Sequence, residues 1–203
     1  MKKSVHLYVL FLALFINSAY PLSHKNLEKE VENYLNSIKS LSAEFVQESG
    51  DVVSRGFLNI KKPGKARIDY KSPDDFLLIL KNKRLIYYNF DLEEYANLPH
   101  NSNFLNLLAS TNFAFSNFST YKVKRSGKQL IADVEIREDE LAEGRIYFKL
   151  IFDILANEKL SINSIIINDF VSAITNFKLV DTRYDVDISE KKFRFNNPNF
   201  FKK

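Results

Sequence analysis

The 203-residue sequence has no cysteine. This excludes disulfides, thiolate metal ligands and a cysteine nucleophile, and removes the thiol that a diacylglycerol anchor needs. Glycine and proline number five each. That is too few for a fibre or a low-complexity linker, so the chain reads as globular, with roughly two-thirds of its unfolded surface buried on folding. The glycines are scattered singly, leaving no phosphate-binding loop and no nucleophile elbow, and no calcium-loop pattern occurs. Of three histidines, His6 lies in an N-terminal apolar run. His24 and His100, beside a chain start and in a Pro-Asn loop, read as solvent-exposed and too few for a zinc site or a Ser-His-Asp arrangement. No metal, cofactor or enzymatic activity is expected.

Excess charge of one sign is also small. The formal charge is +4, but Lys2 and Lys3 belong to a segment expected to be removed, which leaves 27 basic residues against 25 acidic. A charge of +2 falls short of what marks a nucleic-acid binder, and none is expected as partner. Lys2 and Lys3, the apolar run Val5 to Ile16 and the small residues up to Ala19 read as a secretory signal peptide over 1–19, since spanning a bilayer takes ~20 apolar residues. One exported domain over 20–203 follows. What the chain has in abundance is aromatic: 18 Phe and 10 Tyr, with no Trp. Many of these rings must be buried or line something.

Leu27, Val31, Leu35 and Ile38 fall on one helical face, which predicts an amphipathic helix from His24 to Ser40. The period then changes to two. Strands are predicted from Leu41 to the Gly50-Asp51 turn, at Val52 to Lys61, Ala66 to Lys71, Phe76 to Leu80, Leu85 to Asn89 and Glu94 to Leu98. Phe104, Leu105, Leu107 and Leu108 return to helical spacing, followed by a loop with Phe113, Phe115 and Phe118. Strands resume at Thr120 to Arg125, Gln129 to Arg137, Arg145 to Phe152, Leu160 to Asn168, Val171 to Val180 and Lys192 to Phe195. Short strands at ~8 to 12 residue spacing without crossover helices predict an antiparallel sheet that curls into an unclosed barrel. Helices would cover its open side around an apolar cavity.

Carboxylate pairs at Asp74-Asp75, Glu93-Glu94, Glu138-Asp139-Glu140 and Asp185 with Asp187 fall at turns and strand ends and read as turn chemistry. Lys61, Lys62, Lys65 and Arg67 surround the Pro63-Gly64 turn and read as a charged hairpin tip guarding a sheet edge. A hydrolase using His100 or a turn carboxylate, and a structural envelope protein with a filled core, are the rival readings from other classes.

Several segments resemble the periplasmic outer-membrane lipoprotein carrier family, LolA. Ser40 to Gln47 looks like its opening strand, and Gly56 to Lys65 with Arg67 and Asp69 to Pro73 looks like its strand, Pro-Gly turn and closing Pro. Leu85 to Asn89 and Phe193-Arg194-Phe195 before Pro198 are similar to later strands. Lys62 stands where the family commonly has Arg, Ala66 and Ile68 replace strand aromatics, and Asn82 replaces a turn Gly. The resemblance implies a monomeric soluble chaperone of the periplasm. It would take lipoprotein acyl chains from an inner-membrane ABC transporter to an outer-membrane receptor, where one is present. A carrier or sensor of free phospholipid or glycolipid is the alternative in the same compartment. Phe45, Leu58, Ile60, Ile68, Tyr70, Leu78, Leu80, Ile86 and Tyr88 are the expected cavity wall, and Leu105 and Leu108 the expected lid. The resemblance implies a role in cargo transfer for Lys62.

Overall fold

The computed structural model describes residues 24–81, 84–98, 104–137, 145–168 and 172–195. The signal segment, Asn82, His100, the 138–140 carboxylates and Pro198 lie outside these residues. Helix α1 spans His24–Ser37 and α2 spans Phe104–Ala109. Between them run β1 (Ser40–Ser49), β2 (Val52–Lys61), β3 (Lys65–Ser72), β4 (Phe76–Lys81), β5 (Arg84–Asn89) and β6 (Glu94–Leu98). After α2 come β7 (Thr120–Ser126), β8 (Gln129–Arg137), β9 (Arg145–Ile154), β10 (Leu160–Asn168) and β11 (Thr175–Tyr184). All strands join one antiparallel sheet in the order β6-β5-β4-β3-β2-β1-β11-β10-β9-β8-β7. The sheet is unclosed, with β6 and β7 at its two ends.

Period-two patterning fixes which residues face the core. Ala43 and Phe45 of β1, Leu58 and Ile60 of β2, and Ala66 and Ile68 of β3 all point to the same buried side. So do Leu150 and Phe152 of β9 and Phe177 and Leu179 of β11. Leu27, Val31, Leu35 and Ile38 of the α1 stretch and Leu105 and Leu108 of α2 complete this cluster. The inner face and the apolar faces of both helices therefore form one continuous core, as the 3.6 and 2.0 periodicities require.

Gly56 makes a close approach possible. It pairs with Phe45 on one side and Tyr70 on the other, and a Cβ built there would stand 2.0 Å from the Asp69 carbonyl oxygen and 2.9 Å from Phe45 Cε1. The missing side chain lets Phe45 of β1 reach across β2 to Tyr70 of β3, at a ring separation of 5.0 Å.

Two strand expectations are corrected. Val171 lies outside the described residues; among these the last strand is Thr175–Tyr184, which leaves out Ser172 to Ile174 and runs past the expected end at Val180. Its polar end Asp181-Thr182-Arg183 hides the alternation, and an extra residue opposite Ala43, with Asp181 at φ 49°, carries the pairing on to Leu41. Lys192 to Phe195 is not a strand. A 3-10 turn, Glu190–Phe193, stands there, capped by Ser189, whose hydroxyl accepts from the Lys191 N–H. The segment 185–195 folds back across the outer face, burying Phe193 and laying Phe195 against Tyr88 and Tyr95. The first helix also ends at Ser37, because Ser40 already belongs to the sheet and the Lys39 N–H is capped by Asp185.

Candidate functional site

The inner face carries a row of rings across β11, β1, β3, β4 and β5. Phe177 stacks on Phe45 with centroids 4.3 Å apart, Phe45 meets Tyr70 edge-on, Tyr70 stacks on Phe76 at 4.0 Å, and Phe76 tilts against Tyr87 at 5.6 Å. Such pairs add about 0.5–1.5 kcal/mol each beyond the area they bury. The Tyr70 hydroxyl donates to Gln47 Oε1 at 2.6 Å, which gives this buried polar group its partner. Burial holds the Tyr70 hydroxyl well above its ordinary pKa. Around the row the surface is aliphatic, so the face can accept apolar chains without orienting them through charge.

Polar bonds fasten the helical cover to the sheet and to the loop after α2 at few points. Tyr34 of α1 donates its hydroxyl to Tyr184 at 2.8 Å and accepts from the Ile162 N–H at 2.9 Å. That N–H is free of the ladder because the β9–β10 pairing shifts register between Ile162 and Ser164. Burial, then the Tyr184 hydroxyl, push the Tyr34 pKa up. Asn36 donates to the Phe113 carbonyl at 2.9 Å and accepts from the Phe113 N–H at 2.8 Å, while Glu32 accepts from the Phe115 N–H. At the β2–β3 turn the Lys62 ammonium donates to the Leu35 carbonyl in the last turn of α1. The Lys62 N–H donates to the Lys39 carbonyl.

Gly64, at φ +65°, donates its N–H to the Ala109 carbonyl at the end of α2. One turn thus holds both helices. A cation at a helix C-terminus is favourable there, yet burial lowers the Lys62 pKa to about 8.

The structure brings together on the inner face Phe45, Leu58, Ile60, Ile68, Tyr70, Leu78 and Leu80, with Leu105 and Leu108 above them. Ile86 and Tyr88 are corrections. They face the outer side, where Leu77, Ile79 and Phe195 pack with them. The cause is the register of the β4–β5 hairpin, in which Leu80 pairs with Leu85. Directly opposed residues share a face, so an inward Leu80 forces Leu85 inward and Ile86 outward. Phe76 and Phe177, which spacing does not single out, complete the row with Tyr87, a ring of the aromatic alternation. The signal for Tyr87 is its opposition to Leu78 across the two-residue turn.

The basic cluster guards no edge, since β2 and β3 are interior strands. Lys61 and Lys65 pair with Glu190 at 3.3 and 2.9 Å, and Arg67 pairs with Asp69 at 2.6 Å while donating to the Lys192 carbonyl. Bonds from Lys65 and Lys61 hold the Glu190 carboxyl below its usual range. These cations anchor the C-terminal segment. Among the turn carboxylates, Asp75 pairs with Lys71 at 2.9 Å and Asp185 caps Lys39.

Among the described residues no helix is long and apolar enough to cross a membrane. A family model described as outer membrane lipoprotein carrier protein LolA matches residues 36–196. An outer-membrane lipoprotein carrier protein of Francisella philomiragia is 24% identical, in an alignment covering 94% of this chain and 93% of that one. An uncharacterized protein of Rickettsia prowazekii is 32% identical over 117 residues, 57% of this chain, and the match spans about half (54%) of that relative's length. In fold, the chain is similar to the crystal structure of an uncharacterized conserved protein from Thermus thermophilus. There the TM-score is 0.50 at 11% identity, with 86% of this chain and 94% of that one covered. With the family model spanning most of the chain and the unclosed sheet under its helical cover in place, the chain belongs to the LolA family of outer membrane lipoprotein carrier proteins.

Proposed function

We propose that the protein is a soluble periplasmic chaperone for lipoproteins. It takes their acyl chains as an inner-membrane ABC transporter releases them and carries them to the outer membrane. The observation that carries this reading is the inner face: an aromatic and aliphatic surface covered by two helices that polar bonds hold at a handful of points. A bound acyl chain gains about 0.8 kcal/mol per buried methylene, so cargo contacts can replace the cover's own apolar contacts. Because both helices are fastened at the β2–β3 turn, a shift of the cover on cargo binding would be felt at Lys62. This supports its role in cargo transfer, with a single ammonium doing what a planar guanidinium would do bidentately. The absence of cysteine supports the same reading, since a shuttle must not be anchored.

The test is release. Protein lacking residues 1–19 is incubated with spheroplasts, and newly made lipoproteins are sought in the soluble fraction in complex with it. Soluble complexes that form with wild type and fall with Leu78→Ser support the carrier. No release, together with phospholipid extracted from the purified protein, overturns it in favour of a carrier of free lipid. Charged substitutions at Ile68 or Tyr70 are unsuitable here, because both residues are buried and an unpaired charge would unfold the domain.

A further inference from the structure

The outer face holds a groove of about 700 Å³ between the C-terminal segment and the β4–β5 hairpin. Its apolar floor is formed by Ile79, Ile86 and Phe195, and its cations are Lys81, Arg84 and Arg194. Among the described residues no carboxylate lines it. Among the described residues, too, none of these three cations makes an ion pair, in contrast to Lys61, Lys65, Arg67 and Lys71 on the same sheet. Two further rings continue the apolar strip. Tyr95 stacks on Phe195 at 5.5 Å and stays 44% exposed, and Phe90 meets Tyr88 edge-on and is 42% exposed. The combination is a carbon floor, rings with one side in water and unpaired cations, on the face opposite the one that the helices cover.

We infer that this groove is a docking site for a bilayer surface bearing anionic phospholipid. The phosphate would sit among Lys81, Arg84 and Arg194, with the acyl-glycerol region against Ile79, Ile86 and Phe195. Charge complementarity selects an anion. The carbon floor selects an amphiphile over an acidic peptide, whose backbone and carboxylates would need polar partners along their length, whereas among the described residues the polar side chains lining the groove are the three cations alone. A second copy of the chain would bring like charge to like charge. Half-exposed aromatic side chains beside cations are the composition that settles at a lipid–water interface. The inference stands independently of what the inner face carries, and in a carrier it would set the protein down with its covered face turned away from the membrane.

The test is sedimentation of the protein lacking residues 1–19, so that the apolar N-terminal segment cannot itself bind lipid. It uses vesicles of equal parts phosphatidylglycerol and phosphatidylcholine and vesicles of phosphatidylcholine alone, at low and at physiological ionic strength. Binding to the mixed vesicles alone, weakened by salt, is expected. Each cation near an anionic surface contributes about 1 kcal/mol, so Lys81→Gln, Arg84→Gln and Arg194→Gln together should weaken binding roughly 100-fold. Lys122→Gln with Lys124→Gln, exposed on β7 at the other end of the sheet, should leave it unchanged. An unchanged far-UV spectrum shows that the variants fold. Equal binding to both vesicle types, a triple variant that binds as well as wild type, or no binding at all overturns the proposal. So does capture of polyglutamate, lost in the triple variant, without capture of vesicles; the occupant would then be an acidic protein segment.

Discussion

Gly56→Ala is the substitution whose cost can be worked most directly from the structure. The new methyl carbon would stand 2.0 Å from the Asp69 carbonyl oxygen, a backbone atom that cannot rotate away, and 2.9 Å from the Phe45 ring. Relief requires β2 and β3 to part by more than about 1 Å, since carbon and oxygen touch comfortably only above roughly 3 Å. Parting weakens about two ladder hydrogen bonds, each worth about 0.5–1.5 kcal/mol net. It also displaces the Phe45 ring from Tyr70 and Phe177, which costs another 0.5–1.5 kcal/mol or so. Against this, alanine lowers the entropy of the unfolded chain by only about 0.4–1 kcal/mol.

The net loss is centred near about 2 kcal/mol, within roughly 1–4, or roughly 2–15 °C in Tm for a domain of this size. Urea unfolding followed by circular dichroism reads it. A second variant isolates the cause: Phe45→Leu in the Gly56→Ala background removes the ring contact and leaves the carbonyl contact, so it should recover little. A loss below about 1 kcal/mol, or full recovery by Phe45→Leu, would refute the claim that backbone proximity at Gly56 sets how closely β2 and β3 pack.

Three further outcomes follow from the site. Lys62 has its pKa lowered to about 8 in the folded protein. From there to the unfolded value near 10.4 the unfolded chain holds a proton that the folded one has shed, so stability should rise over that interval. Lys62→Met should abolish this rise when urea midpoints are compared across pH. Above about 10 the sign reverses, because Tyr34 and Tyr70, both raised, keep protons that the unfolded chain loses. Leu78 and Ile86 are both half-buried, on opposite faces. Leu78→Ser should weaken binding of an uncharged fluorescent apolar probe, which lacks the anion that the outer groove would need, about fivefold, for about 1 kcal/mol of lost apolar contact, and Ile86→Ser should not; equal effects would contradict the β5 register. Asn36→Ala leaves the Phe113 N–H and carbonyl unpaired at a cost of about 2 kcal/mol. Asn36→Asp keeps the acceptor for the N–H but sets a carboxylate oxygen against the Phe113 carbonyl, one turn from Glu32, and should cost at least as much in thermal unfolding near neutral pH.

The inner face of β1 to β4 was legible because Leu58, Ile60, Ala66 and Ile68 alternate without interruption between turns that Gly and Pro punctuate. At β5 the alternation was equally clear and gave the wrong phase, since Leu85, Ile86, Tyr87 and Tyr88 are all apolar. Hydropathy cannot choose between faces when the C-terminal segment covers the outer one too. The register of the two-residue turn decides it, through Leu80 opposite Leu85. The polar fastenings were invisible for a related reason. Tyr34, Asn36 and Lys62 read as the wet side of a helix and a turn, and their partners Tyr184, Phe113 and Leu35 include residues up to 150 positions away. The basic cluster read as the guard of a sheet edge because its partner Glu190 lies 125 positions along the chain from Lys65, outside any local pattern.

These fastenings are unevenly spread, and this bears on how the cover can yield. Glu32, Tyr34, Leu35, Asn36 and Lys39 supply them, all in the second half of α1 or just beyond it. Leu27 in the first half, and Val31 at its boundary, reach the core through apolar contact. A buried hydrogen bond that is broken without replacement costs about 1–3 kcal/mol. An apolar contact exchanged for a methylene of an incoming chain costs nearly nothing, because the same area stays out of water. Cargo entering beneath the first half of α1 therefore trades like for like, while entry beneath the second half would have to break the Tyr34, Asn36 and Lys62 bonds together. On the carrier function proposed above, the expected motion is a lift of the helix from its N-terminal end with a pivot where the β2–β3 turn grips it. Residue 62 thus belongs to the pivot, away from the point of entry.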